Sequence, residues 1–139
     1  MSYQHIVQYY ETDKMGITHH SNYIRWMEEA RLSFFSECGW DYKTLEDSGV
    51  ASPVISVSCN YKKPTTFSDK VDIHVRIKLL GNAKLLLGYT MECNNVVVCE
   101  AESAHCFVDH EGCIVRVKRD NPEFYSTLER LLQEQEGVR

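Results

Sequence analysis

The chain has few of the residues that break or staple a fold. Three prolines and seven glycines are scattered through 139 residues, so no linker, repeat or low-complexity tract is expected. The six cysteines fall well below the roughly 8–10% of a disulfide scaffold. They stand at 38, 59, 93, 99, 106 and 113, with no C-x-x-C pair. They read as reduced thiols, mostly small buried apolar residues, in a reducing compartment. Positive charge is in deficit: 15 Lys and Arg against 20 Asp and Glu give a net charge of −5. That sign argues against a nucleic-acid backbone as partner but leaves room for a local basic pocket that holds a small anion. No apolar run approaches the roughly 18 residues of a membrane span. The stretch Met1 to Gly16 has no basic segment followed by an apolar run, unlike a signal peptide. A soluble cytoplasmic protein is expected. Glycine-rich phosphate loops and a G-x-S-x-G serine elbow are both missing.

What is present is the composition of a globular domain, 43% hydrophobic and 25% charged. A chain near this length hides roughly 70% of its unfolded surface in one core, so residues 1–139 are read as a single domain. Tyr3 to Tyr9 alternates and predicts a first strand. After a polar loop, Asn22 to Cys38 predicts a helix, with Ser21 as N-cap and Gly39 at C′. Tyr23, Trp26, Met27, Ala30 and Phe34 form its apolar stripe, widened by Ile24 and Phe35. So wide a stripe predicts a helix enclosed on most sides. Asp41 to Ser48 predicts a short second helix ending at Gly49.

A series of strands follows. Ile55, Val57, Cys59 and Tyr61 alternate with Ser56, Ser58 and Asn60. Val71, Ile73, Val75, Ile77 and Leu79 alternate with Lys70, Asp72, His74, Arg76 and Lys78. Gly81-Asn82 turns the chain into Leu85 to Cys93, and Asn94-Asn95 turns it into Val96 to Val108, where imperfect alternation predicts a bulge. Asp109 to Gly112 leads into a last strand, Cys113 to Val117. Asn121-Pro122 then opens a C-terminal amphipathic helix with Phe124, Leu128, Leu131 and Leu132 inward. The expected class is α+β, one antiparallel sheet curved around one apolar helix.

The chemistry concentrates in the loop Tyr9 to Tyr23. The N-terminus of an enclosed helix offers unsatisfied N–H groups to a carboxylate or oxyanion, and Asp13 lies just upstream. A carboxylate beside an anion-binding amide suits acyl transfer. The competing role for Asp13 is an Asx turn or cap, and spacing by itself favours that role. His105, His110 and Cys113 lack a standard zinc spacing and a fourth ligand, so they read as strand and turn residues.

The run Tyr9-Tyr10-Glu11-Thr12-Asp13, then Gly16, His20, Asn22-Tyr23 and Met27-Glu28-Glu29-Ala30-Arg31, resembles the hotdog-fold acyl-CoA thioesterases. It is most similar to the 4-hydroxybenzoyl-CoA thioesterase and YbgC-like branch. Asn60-Tyr61-Lys62-Lys63-Pro64 resembles that family's Y-x-x-P. The resemblance implies a hotdog fold and hydrolysis of an acyl-CoA, or of an acyl-carrier-protein thioester, to a free acid, with no cofactor and no metal. It implies that Asp13 is the nucleophile or general base and that the helix N-terminal amide near His20 is the oxyanion donor. It further implies that Tyr9 and Tyr61 line the substrate site, and that Asn82 and Lys84 sit on a hairpin reaching the CoA phosphates. Lys62, Lys63, Arg116, Lys118 and Arg119 default to a solvated edge. A homodimer or homotetramer follows by the same resemblance, paired through the Ser52 to Tyr61 strand. Two rivals stand beside this reading. One is a hotdog dehydratase or hydratase, which needs a His and an acid at the substrate α-carbon. The other is an acyl-CoA binding module, which has no use for Asp13.

Overall fold

The computed structural model describes residues 2–137. Strands β1 (Ser2–Ile6), β2 (Val54–Tyr61), β3 (Lys70–Leu80), β4 (Lys84–Cys93) and β5 (Val96–Cys106) form one antiparallel sheet in the order β1-β3-β4-β5-β2. The period-two pattern decides which face is buried. Val71, Ile73, Val75 and Ile77 of β3 are buried, while Lys70, His74, Arg76 and Lys78 between them are exposed. Leu85, Leu87, Tyr89 and Met91 of β4 continue that buried face. The long helix α1 (Ser21–Glu37) packs on it with Tyr23, Trp26, Met27, Ala30, Phe34 and Phe35. Cys38 caps its C-terminus, and Gly39 follows at φ +89°, a left-handed conformation that favours glycine.

Helix α2 (Tyr42–Asp47) is capped by Asp41, whose side chain accepts from the Thr44 N–H at 2.8 Å. The one-turn α3 (Val117–Asp120) leads into α4 (Pro122–Gly137). Phe124 of α4 meets Phe35, Trp40 and Phe107 edge-on or tilted, at centroid separations of 5.9, 5.2 and 5.9 Å. The C-terminal helix also solves an edge problem. β1 covers β3 only from Lys70 to His74, so beyond that the outer edge of β3 has no strand neighbour. The Gln135 amide takes that place, accepting from the Ile77 N–H at 2.9 Å and donating to the Ile77 carbonyl at 3.0 Å. Among the described residues no helix is long and apolar enough to cross a membrane.

Several expectations are corrected. The first strand stops at Ile6, and Tyr9–Glu11 form a 3-10 turn, because the Glu11 carboxylate accepts from the Gln8 N–H at 2.8 Å and draws the chain back. Helix α1 begins at Ser21, not Asn22, and His20 occupies the cap position. The Ser21 hydroxyl is tied to His19 Nδ1 at 2.9 Å instead of capping the helix. The sheet encloses α1 on one side only, so Ile24 and Leu32 remain 45% and 41% exposed. The last strand is reduced to a single bridge, Val108 to Ile114. Past it, the Asn82 carbonyl accepts from the Val117 N–H at 2.8 Å and Asn82 Oδ1 from the Lys118 N–H at 3.2 Å, which turns the chain into α3. β5 ends at Cys106, and the predicted bulge falls at Val98, where Met91 opposes Cys99 and Glu92 opposes Val97.

Candidate active site

The loop between the 3-10 turn and α1 is folded back on itself and pinned to the segment between β2 and β3. Gly16, at φ +79°, makes the reversal. The Asp13 N–H donates to the Ile17 carbonyl at 2.9 Å and the Gly16 N–H to the Asp13 carbonyl at 3.0 Å. Thr18 and Thr65 share a buried hydroxyl pair at 2.7 Å, and the Tyr23 hydroxyl lies 3.0 Å from the same Thr65 Oγ1. Thr66 Oγ1 donates to the Gly16 carbonyl at 2.8 Å. The base of the loop is closed by Glu11, whose carbonyl accepts from the His19 N–H at 2.8 Å and from Asn22 Nδ2 at 3.0 Å.

Glu11 is 5% exposed. Its Oε1 meets His5 Nε2 and the Gln8 N–H, both at 2.8 Å, and its Oε2 accepts from Trp26 Nε1 at 2.8 Å. Burial pushes its pKa up, but the donors from Gln8, His5 and Trp26 outweigh that, and the carboxyl is held below its ordinary value. A buried anion therefore welds the loop to β1 and to α1.

Asp13 is half-buried. Its Oδ1 accepts from the Met15 N–H at 2.8 Å, so the Asx turn weighed against catalysis is real geometry. No hydrogen bond among the described residues reaches its Oδ2, so one oxygen remains for chemistry. At the start of α1 the Ser21 N–H is taken by His19 Nδ1 at 3.2 Å, the Asn22 N–H by the His19 carbonyl at 3.0 Å, and the Tyr23 N–H by the His20 carbonyl at 3.2 Å. The His20 N–H has no partner among the described residues and remains a free donor at the positive end of the helix.

Asp13, His20 and Tyr61 line one cleft of about 490 Å³, together with Lys62 and Lys63. The Tyr61 hydroxyl donates to the His20 carbonyl at 3.1 Å, and its ring stands edge-on to the His20 ring at 6.1 Å. Burial, followed by Cys59, raises the Tyr61 pKa, so the phenol stays protonated and a donor. On the other side of Asp13 lies a wider groove of about 740 Å³, lined by Tyr9, Lys14 and Arg25. Tyr9 is 76% exposed there, its ring edge-on to Phe67 at 5.8 Å.

Four of the six expected site residues thus gather around one loop. Asn82 and Lys84 do not join them within the chain, because their hairpin connects β3 to β4 at the end of the sheet opposite to Tyr61. Asn82 is instead engaged with Val117 and Lys118. In the cleft shared with His20 and Tyr61, the cations beside Asp13 are Lys62 and Lys63, which their sequence setting marks only as a solvated edge. Glu11 and Thr65 were equally invisible in the sequence, since a glutamate in a polar loop and a threonine after proline carry no sign of burial. His105 is a core strand residue. Its Nε2 lies 2.7 Å from Ser103 Oγ and its Nδ1 3.3 Å from the Ser52 carbonyl.

Residues 7–130 match the family model described as Thioesterase-like superfamily. The chain is 32% identical over 126 residues, 89% of its length and 91% of the relative's, to a Bacillus subtilis protein named "Putative acyl-CoA thioesterase YneP". The crystal structure of a hypothetical protein from Aquifex aeolicus superimposes with a TM-score of 0.86 at 34% identity, covering 92% of this chain and 98% of that one. A DHNA-CoA thioesterase from Staphylococcus aureus superimposes with a TM-score of 0.92 at 24% identity, covering 99% and 94%, which speaks for the fold. With Asp13 and a free helix amide in one cleft, and a family match spanning residues 7–130, this chain belongs to the thioesterase-like superfamily of hotdog-fold thioester hydrolases.

Proposed function

We propose that the chain hydrolyses an acyl-CoA thioester to a free acid and CoA in the cleft between Asp13 and His20. The observation that carries this reading is the pairing, in one cleft, of a carboxylate with an unbonded oxygen and a helix N-terminal N–H with no partner among the described residues. As general base, Asp13 takes a proton from water as the water oxygen attacks the thioester carbonyl carbon. The oxyanion that forms accepts from the His20 N–H. When it collapses, the carbon–sulfur bond breaks and the proton held by Asp13 goes to the departing sulfur. As nucleophile, Asp13 attacks that carbon itself, the carbon–sulfur bond breaks to release the CoA thiolate, and water then hydrolyses the resulting anhydride. Label in the Asp13 carboxyl after a single turnover in ¹⁸O-water identifies the second route, with the anhydride opened at the Asp13 carbon. Release of free thiol from aromatic, short-chain and long-chain acyl-CoAs, and from an acyl-carrier-protein substrate, tests the reading. No thiol from any of them overturns it.

We further propose that the working unit is a dimer paired antiparallel through β2. This strand is an edge, and Val54, Ile55 and Val57 on it are 47%, 55% and 36% exposed. An open apolar edge of this kind invites pairing. Ile24 and Leu32 of α1 add apolar surface that the chain's own sheet leaves uncovered. Light scattering at micromolar concentration should give at least twice the chain mass, and a monomer would sink the proposal.

Antiparallel pairing also brings the partner's hairpin to the Asp13 end of the sheet. Lys84 then reaches the CoA phosphates from the second copy, beside Lys62 and Lys63. An exposed phosphate contact contributes about 1 kcal/mol or less and is screened by salt. Lys84→Ala should raise KM several-fold with little change in kcat, more at low salt than at high. An unchanged KM at both salt concentrations removes Lys84 from the site.

A further inference from the structure

Away from the cleft and groove that flank Asp13, a further cavity of about 300 Å³ lies between α1, α2 and the segment entering β2. Phe35, Trp40, Leu45 and Val50 make much of its wall apolar, and Arg31 and Ser52 are among the polar groups that break that surface. Arg31, half-buried, donates from Nη1 to the Tyr89 hydroxyl at 3.4 Å. Tyr89 passes the contact to Ser103 Oγ at 2.6 Å, and Ser103 to His105 Nε2 at 2.7 Å. Tyr89 and His105 are both 0% exposed, so the guanidinium sits at the inner end of the cavity. Among the described residues no carboxylate lies within 4.0 Å of it. Ser52 Oγ, also at this cavity, is the one buried side-chain polar atom among them without a hydrogen-bond partner. Native structures pair buried hydroxyls. Among the described residues Ser52 Oγ has no partner, and the half-buried Arg31 guanidinium holds only the 3.4 Å contact to Tyr89 and keeps N–H groups for a ligand. Glu28, Tyr42 and Glu46 also line the cavity and are exposed in the single chain.

The placement of β2 connects this cavity to the chemistry. Along α1, Arg31 stands about 15 Å from the N-terminal end that faces Asp13. The first residue of β2, Val54, lines the cavity, and its last, Tyr61, lines the Asp13 cleft. Antiparallel pairing of β2 with a second copy about its middle sets Val54 of one chain against the Tyr61 end of the other. Each cavity then adjoins the partner's Asp13 cleft. We propose that this cavity is the acyl-end subsite of the partner's active site, and that it takes an acyl group whose far end is a carboxylate, gripped by Arg31 and Ser52. A guanidinium with free N–H groups suits a carboxylate in bidentate geometry. The inference rests on the hydrolase reading and the β2 pairing above.

The test compares two acyl-CoAs of equal length, hexanoyl-CoA with a methyl end and adipoyl-CoA with a carboxylate end. Wild type should favour adipoyl-CoA in kcat/KM. Arg31→Met should lower the adipoyl-to-hexanoyl ratio by about ten- to a hundredfold, the usual worth of charge-assisted hydrogen bonds. Arg31→Lys should restore part of it, whereas a merely structural role would lower both substrates together and leave the ratio alone. If Arg31→Met does not fold, Arg31→Lys and Ser52→Ala report the same ratio. Hydrolysis of hexanoyl-CoA without a carboxylate preference, or a ratio insensitive to these variants, overturns the subsite and leaves the hydrolase reading standing. If neither substrate is hydrolysed, thiol release across the acyl-CoA panel above decides the hydrolase reading. Adipate then probes the cavity directly through Trp40 fluorescence, and absence of a saturable, Arg31-dependent change overturns the subsite as well.

Discussion

Replacing Asp13 by asparagine is expected to lower kcat by at least about 10²-fold, the usual size of an acid–base or nucleophilic contribution. Asparagine keeps the side-chain length, and its amide oxygen still accepts from the Met15 N–H, so the Asx turn survives. What disappears is the charge on the oxygen that has no partner. The loop is held by Thr18, Thr65, Thr66 and Glu11 and not by the Asp13 carboxylate, so Asp13→Asn should fold normally. Thermal unfolding close to wild type alongside the loss of kcat would separate chemistry from collapse. His20→Ala should cost less, because alanine keeps the backbone N–H assigned to the oxyanion. A folded Asp13→Asn protein that keeps most of its kcat on the best acyl-CoA would overturn the assignment.

The second large effect is on stability. Glu11→Ala removes one acceptor from three donors, His5, the Gln8 N–H and Trp26 Nε1. All three are left facing a site that is 5% exposed in the wild type. Breaking a buried, charged network in this way costs about 3 kcal/mol or more. For a domain of this size Tm should fall by about 10 °C. The network also fixes a pH dependence. Because the Glu11 carboxyl is held below its ordinary value, its contribution is fully present above the unfolded carboxylate pKa. It is lost as pH falls through the folded value. Glu11→Gln keeps the size but not the charge, so its deficit against wild type should be largest near neutrality and shrink in acid. A deficit that does not change between neutral and acidic pH would show that the charge on Glu11 does not matter to the fold.

Much of this protein was determined locally. The alternation of Val71, Ile73, Val75 and Ile77 with charged residues fixes a half-buried strand, since side chains in a strand point to opposite faces with period two. The stripe from Tyr23 to Phe34 fixes a helix for the analogous reason at period 3.6. Gly39, Asp41 and Asn121-Pro122 end or begin helices through backbone freedom, side-chain capping or a fixed φ. The family resemblance carried by Tyr9 to Arg31 singled out Asp13 and His20, where spacing by itself favours an Asx turn for Asp13. Where two influences competed, local pattern misled. Cys113 to Val117 alternates like a strand, but Asn82 captures the Val117 and Lys118 amides and turns the chain into a helix. Ile24 belongs to the apolar stripe by period, yet the sheet covers only one side of α1 and leaves it exposed.

Other features depended on which distant segments pack together. Thr18 and Thr65 are 47 positions apart, and Arg31 and Tyr89 are 58 apart. Neither pair has a local signature. The burial of Glu11 required β1, the 3-10 turn and α1 to converge on one carboxylate. Lys62 and Lys63 became neighbours of Asp13, and Lys84 did not, because the sheet order puts the end of β2 beside the loop and the β3–β4 hairpin at the opposite end. Periodicity reports which way a side chain points. What it points at is set by sheet order and register, and those are decided only when the whole core closes.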